Sequence, residues 1–234
     1  MKILQQELSS LTIQRGLDVA TRDGGFAREM LNGLAGCQEM LALDLSDKAF
    51  EKGAKKCQGL PVNFVKGDAC AMDFEDHSFD LVAVANSLHH IPDLTSLFRE
   101  MRRVVKPGGL LIFSEMYCDG QEGGALTHWI LHNMDCYLDT FKGVYHDRTY
   151  TKAHILHMVR EAGFTIKKTF CDYVEDPAVV KKLHERVAEV PERIKPYEGR
   201  PEYGLLAGAA AWLKETYETE GISSAHQLVI FAEV

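Results

Sequence analysis

Four stretches of the 234-residue chain carry side chains suited to chemistry. In LDVATRDGGFA, residues 17–27, Asp18 sits in an apolar run and a tight turn of mostly small residues leads into a helical pattern. A turn of this kind lets the backbone approach a nucleotide cofactor closely, which calls for residues with little or no side chain. Gly24 meets that need, whereas Ala20 and Arg22 stand where glycines are expected. Asp44 closes the next apolar run, and a carboxylate there can accept both ribose hydroxyl protons. Its other use is to cap the following helix, a role that Ser46 already fills. In VKGDACAMDFEDHSF, Asp68 can accept from an adenine exocyclic amine while Ala69 and Met72 pack against the base. Gly67-Asp68 is also a common surface-turn dipeptide. In VANSLHHIPD, Asn86 ends an apolar run beside the cofactor cleft, and His89 and His90 follow it. One of these histidines can serve as a general base, because an imidazole titrates near neutrality; the other use is packing and solvation.

A fifth stretch, HWILHNMD, sets His128, His132 and Asp135 at helical spacing, with His146 further along. One helix face can thus offer three metal ligands. Paired histidines on a helix more often belong to a polar face or line a pocket, so no metal is expected. Trp129, His132, Tyr145, His146 and Tyr150 form an aromatic set suited to a flat or cationic small molecule, or else to ordinary packing.

The elements that must position these residues alternate in type. Apolar strands are expected over residues 16–20, 39–45, 62–65, 79–86 and 110–115. Helices are expected over 24–35, over 47–57 behind a Ser46 cap, and over 94–105. The last is stopped by Lys106-Pro107-Gly108-Gly109. Such alternation argues for a parallel sheet with helices on both faces, its ligands at the carboxyl edge of the strands. Beyond Glu115 the pattern changes. An insertion over 117–150 holds an aromatic helix at 126–141, and a helix at 151–162 precedes a strand that runs through Cys171. A second insertion, 173–223, carries helices near 177–190 and 202–218, and a final strand covers 226–233. The whole chain, 1–234, reads as a single domain whose two helical insertions form a cap. Residues 205–213 are small and apolar, which suits either a tightly packed helix or a homodimer contact.

Composition narrows the partners. Lys and Arg total 26 against 34 Asp and Glu, a net charge of -8, which argues against a nucleic-acid substrate. The 6 cysteines include no C-x-x-C pair, so a reducing, cytoplasmic setting is expected. The start MKILQQELSS has no apolar core of a secretory leader, and no run approaches the roughly 18 apolar residues of a membrane span.

Taken in order, GLDVATRDGGFA, LALDLS, VKGDACAMDFEDHSFDLV, NSLHHIPD and EMRRVVKPGGLLIFSE resemble the motifs of class I S-adenosylmethionine-dependent methyltransferases. The likeness is nearest to the group holding the ubiquinone and menaquinone C-methyltransferases. It covers residues 16–115 and returns with YTKAHILHMVREAGF. The resemblance implies a Rossmann-like three-layer α/β sandwich with a seven-stranded, mostly parallel sheet whose last strand is antiparallel. It implies cofactor contacts at Asp18, Ala20, Gly24, Asp44, Leu45, Asp68, Ala69 and Asn86. Arg22 departs from the family's glycine. Its guanidinium pairs with the cofactor carboxylate, or it points outward, or the site has drifted. The implied reaction is methyl transfer from S-adenosylmethionine to a small molecule, leaving S-adenosylhomocysteine. His90, His146 and Tyr150 are the candidate bases. Two other readings remain open: a protein that binds this cofactor without methylating, and an NAD(P)-dependent oxidoreductase. The missing G-x-G-x-x-G turn argues against the second.

Overall fold

Strand after strand in the first half of the chain is apolar on both faces, and only a sheet covered on two sides can bury such strands. The computed structural model describes residues 1–234. Its strands are β1 (Arg15–Val19), β2 (Glu39–Asp44), β3 (Val62–Lys66), β4 (Phe79–Ala85), β5 (Val105–Met116), β6 (Thr165–Asp172) and β7 (Gln227–Glu233). The α-helices are α1 (Lys2–Leu8), α2 (Gly25–Leu31), α3 (Phe50–Lys56), α4 (Leu94–Val104), α5 (Gly123–Phe141), α6 (Lys152–Glu161), α7 (Pro177–Ala188), α8 (Val190–Ile194) and α9 (Tyr203–Glu220).

The chain divides into two units. The first comprises Met1–Glu115, Ala153–Asp172 and Leu228–Val234, and the second Met116–Lys152 and Tyr173–Gln227. The first unit holds a seven-stranded sheet in the order β3-β2-β1-β4-β5-β7-β6. β3, β2, β1, β4 and β5 pair in parallel. The last strands add the antiparallel pairing of a mixed sheet, as expected for a Rossmann-like methyltransferase fold. Strand order reverses direction at β1, whose neighbours are β2 and β4, and that switch point opens a crevice beyond the strands' carboxyl ends. Val19 is paired with Leu43 on one side and Val84 on the other. The residues just past these positions therefore emerge together.

α4 shows how sequence becomes packing here. The Asp93 side chain caps it, accepting from the Ser96 amide at 3.0 Å. Leu97, Phe98, Met101 and Val104 are buried along one stripe. Phe98 meets Phe113 of β5 and Phe164 at centroid distances of 5.9 and 6.0 Å. Such aromatic pairs contribute about 0.5–1.5 kcal/mol each beyond area burial.

Several element boundaries differ from the sequence expectation. α2 ends at Leu31 rather than residue 35. Gly33 follows it, and a Cβ there would lie 2.7 Å from the Gln5 Cα, so α1 occupies that space. The helix expected over 47–57 is a 3-10 turn, Asp47–Ala49, capped by Ser46, followed by the separate α3. α4 ends at Val104, where the Lys106-Pro107-Gly108-Gly109 stop is expected, but β5 begins at Val105 rather than residue 110. Its pairing with β4 shifts register there, from Phe79 opposite Val105 to Leu81 opposite Leu110. α1 and α8 fall where no element is expected. α1 is held at its start by the Leu4 amide donating to the Asp172 carboxylate at 2.8 Å.

The second unit has a core of its own, including Leu131, Met134, Leu138, Leu183, Leu206 and Leu213. Gln121 joins its two sequence segments. Its amide donates to the Tyr117 and His226 carbonyls at 2.9 Å and accepts from the His226 amide at 3.0 Å. Asp135 lies between the guanidinium groups of Arg186 and Arg193, tying α5 to α7 and α8. In α9, Leu206 and Leu213 are buried while Leu205 and Trp212 are nearly half exposed. No helix is long and apolar enough to cross a membrane.

Candidate cofactor site

The turn after β1 is built around Asp18, which is 1% exposed. One carboxylate oxygen, Oδ2, accepts from the Thr21 hydroxyl at 2.6 Å and the Ala27 amide at 3.1 Å. The other, Oδ1, is buried and has no hydrogen-bond partner. Burial pushes the carboxyl up from its ordinary 3.8 to about 7, against the lowering pull of the Thr21 and Ala27 donors. A buried oxygen without a donor is costly, and a ligand bringing a cationic N–H would relieve it.

The backbone of this turn is left-handed at alternate positions: Ala20 at φ 55°, Arg22 at 54° and Gly24 at 70°. These are the positions where glycine is expected from sequence, and the geometry supplies the reason. A non-glycine residue in this region costs about 1 kcal/mol. Arg22→Gly is therefore expected to stabilise the protein by roughly 0.5–1 kcal/mol, read as a raised melting temperature. A lowered one would show that the arginine side chain contributes contacts that outweigh the strain.

Asp44 has a structural task beside the one expected. Its Oδ2 accepts from the Arg22 amide at 2.8 Å and its Oδ1 from the Ser46 amide at 2.9 Å. It thus ties the turn to the end of β2. Each oxygen retains acceptor capacity, since a carboxylate offers about four lone-pair sites. Leu45, next to it, is 70% exposed, an uncovered apolar side chain at the sheet edge. The Asp44 carbonyl accepts from the Gly67 amide at 2.9 Å, which brings the loop after β3 alongside. Asp68 is exposed there, and its Oδ1 accepts from the Cys70 amide at 2.8 Å. The turn role considered for Gly67-Asp68 is thus present, and Ala69 is half-buried beside it.

Asn86 follows β4 in a left-handed conformation, φ 47°. The neighbouring Ser87 hydroxyl donates to the Ala85 carbonyl at 2.8 Å and lies 3.4 Å from the Ala20 carbonyl. His89 is fully buried, its Nδ1 bonded to the Glu115 carboxylate, and that carboxylate accepts from the Ser87 and Leu88 amides at 3.2 Å. His90 is exposed and its ring lies 4.3 Å from that of His89. Glu115 escaped the sequence reading, although an acid closing an apolar strand is the signal that marked Asp44.

The first unit therefore brings together Asp18, Ala20, Arg22, Gly24, Asp44, Leu45, Asp68, Ala69 and Asn86 along the carboxyl edge of β1 to β4. The other two candidate bases belong to the second unit. His146 is buried, with Nδ1 2.8 Å from Asp139 Oδ2, and the Tyr150 carbonyl accepts from the Cys118 amide at 2.9 Å.

The strand order and the edge formed by these residues are those of a Rossmann-like α/β fold. Residues 17–113 match the family model described as a methyltransferase domain. That match covers less than half of the chain, and over it the chain is similar to methyltransferase domains. The chain is 32% identical over 112 residues to the demethylmenaquinone methyltransferase of Staphylococcus epidermidis, covering 46% of each protein. It is 33% identical over 102 residues to that of Staphylococcus aureus, covering 43% of this chain and 42% of the other. The chain thus matches less than half the length of these curated relatives. Among solved structures, an S-adenosylmethionine-dependent methyltransferase from Mesorhizobium loti aligns with TM-score 0.56 at 19% identity, over 100% of this chain and 96% of that one. Haemonchus contortus phosphoethanolamine N-methyltransferase 2, in complex with S-adenosyl-L-methionine, gives 0.56 at 22%, over 100% and 51%. The [4+2]-cyclase SpnF gives 0.60 at 21%, over 99% and 78%. At these identities the likeness is one of fold.

Proposed function

We propose that this protein transfers the methyl group of S-adenosylmethionine to a small-molecule acceptor, with S-adenosylhomocysteine as the product. The observation that carries the reading is Asp18: a buried carboxylate with an orphan oxygen, beside a turn opened by left-handed backbone. In this reading Asp18 receives the cofactor's ammonium group. The Arg22 guanidinium, exposed and without a hydrogen bond of its own, receives the carboxylate. Ala20 and Gly24 permit close approach of the main chain. Asp44 accepts from the ribose hydroxyls, Leu45 and Ala69 cover the adenine, Asp68 accepts from its amine, and Asn86 closes the methionine side. The cofactor supplies an already activated methyl group on a sulfonium, so the protein mainly aligns the acceptor and excludes water.

Where the acceptor must lose a proton, His90 is the preferred base over His146 and Tyr150. Its neighbour His89 is locked by Glu115, which fixes the turn that presents His90 at the cofactor edge. We read the chain as a single functional domain with insertions at 117–150 and 173–223, the insertions selecting the acceptor. An aromatic ring acceptor fits the names of the relatives and the Trp, Tyr and His content of the first insertion. The six free thiols accord with a cytoplasmic setting.

The test pairs calorimetry with S-adenosylhomocysteine and transfer of labelled methyl from S-adenosylmethionine across phenols, hydroquinones and amines. Binding and transfer are expected, with transfer reduced about 100-fold in His90→Gln for acceptors that must be deprotonated. Absence of binding at about 1 mM ligand would sink the cofactor assignment. Binding without transfer across the whole panel would sink the reaction.

A further inference from the structure

α5 carries His132, Cys136 and Asp139 at spacings of four and three residues, which sets them along one face. The helix ends at Phe141, and Gly143 takes a left-handed conformation at φ 76°. The Gly143 amide donates to the Thr140 carbonyl at 3.0 Å and the Val144 amide to the Asp139 carbonyl at 2.9 Å, so the chain doubles back. His146 is thereby returned against the helix. Cys136 fixes its backbone, the thiol lying 2.9 Å from the His146 carbonyl oxygen.

The side chains meet in a specific way. Asp139 Oδ2 stands 2.8 Å from His146 Nδ1, and His146 Nε2 stands 3.4 Å from His132 Nε2. The carboxylate selects the tautomer with hydrogen on Nδ1, which leaves the His146 Nε2 lone pair directed at His132. A separation of 3.4 Å is long for a hydrogen bond between ring nitrogens. It is the spacing of two ligands on one ion: imidazole nitrogens at 2.0–2.1 Å from a tetrahedral zinc lie about 3.3–3.4 Å apart. Donation of the second ring N–H to a carboxylate is the usual arrangement behind a metal-bound histidine.

We propose that His132 and His146 are ligands of one divalent transition-metal ion of the zinc class, with Asp139 orienting His146 behind it. The remaining positions are filled by water or by groups from elsewhere. The site differs from the trio that helical spacing suggests. Asp135 is committed to Arg186 and Arg193. His128 Nδ1 accepts from the Ala225 amide at 2.8 Å. This inference is independent of the methyl-transfer reading.

The experiment uses the full chain after chelator treatment and dialysis, titrated with Co²⁺ in visible absorption and then with Zn²⁺ in competition. The expected result is the intense d–d bands of a tetrahedral or five-coordinate site at about one equivalent, with Kd below about 10 μM. Affinity should fall at least about 100-fold in His132→Gln and His146→Gln and about 10–100-fold in Asp139→Asn, with His128→Gln unchanged. In the unmodified protein, Zn²⁺ should protect His132, the half-buried member of the pair, from acylation by diethylpyrocarbonate, located by peptide mass spectrometry. That readout holds even where a variant does not fold. Absence of cobalt bands at about 1 mM, or binding that survives both histidine substitutions, or acylation unaffected by zinc, overturns the proposal.

Discussion

Asp18→Asn is expected to weaken S-adenosylhomocysteine binding by about 100-fold, because truncating one partner of a buried charge pair costs about 2–5 kcal/mol. The same group makes both stability and binding depend on pH. Its folded pKa, about 7, lies above the ordinary 3.8, so the proton is held more tightly in the folded state. The stabilisation that this proton brings is complete below about pH 4 and is lost as pH rises through about 7. A shift of that size corresponds to at most roughly 4 kcal/mol. The ligand-free protein should therefore lose stability between about pH 4 and 7, and Asp18→Asn should flatten that fall. Binding runs the opposite way, since the cofactor's ammonium needs the ionised acid. Affinity should rise towards tenfold per pH unit up to about 7, until the ligand's own amine titrates near 8. Calorimetry at about pH 5.5 and 7.5 checks this. Equal affinities at both, with Asp18→Asn binding like the parent, would remove Asp18 from the site.

The second large effect is on the fold. Glu115→Ala leaves the Ser87 and Leu88 amides and the His89 ring without their shared acceptor, in a place where Glu115 and His89 are both fully buried. Removing one partner of such a group costs about 3–5 kcal/mol. For a chain of this size the melting temperature should fall by roughly 10 °C or more. Glu115→Gln keeps an acceptor oxygen and the shape, so it should cost less than half as much. Should the alanine variant melt within about 2 °C of the parent, Glu115 does not organise this turn.

The two acids differ in how visible they were. Asp18 belongs to a motif of fixed order, and its neighbours along the chain announce a turn. Glu115 is also an acid closing an apolar strand, yet its meaning comes from amides 27 and 28 residues away. Sequence spacing carries no record of such a meeting. Ser87 reaching the Ala20 carbonyl is the same case, joined only because β1 and β4 are paired. The histidines make the point most sharply. Helical periodicity grouped His128, His132 and Asp135, because residues three and four apart share a helix face. The fold instead pairs His132 with His146, which returns through a glycine turn that periodicity does not see.

Local chemistry was therefore readable wherever it is written in consecutive residues. Apolar runs too long for one-sided burial foretold the parallel strands, and the KPGG segment foretold the end of α4 at Val104, although β5 already begins at Val105 and runs through it. Places where glycine is missing, Ala20 and Arg22, were identified as anomalies before their φ of 55° and 54° explained them. What only tertiary structure decided is which polar groups meet. The Asp44 tether to Arg22, the Glu115 acceptor, the second carboxylate oxygen of Asp18 left without a donor and the His132–His146 pair all follow from strand register and chain reversal. Burial converts those meetings into energy, since a polar group removed from water must find its partner wherever the fold places one.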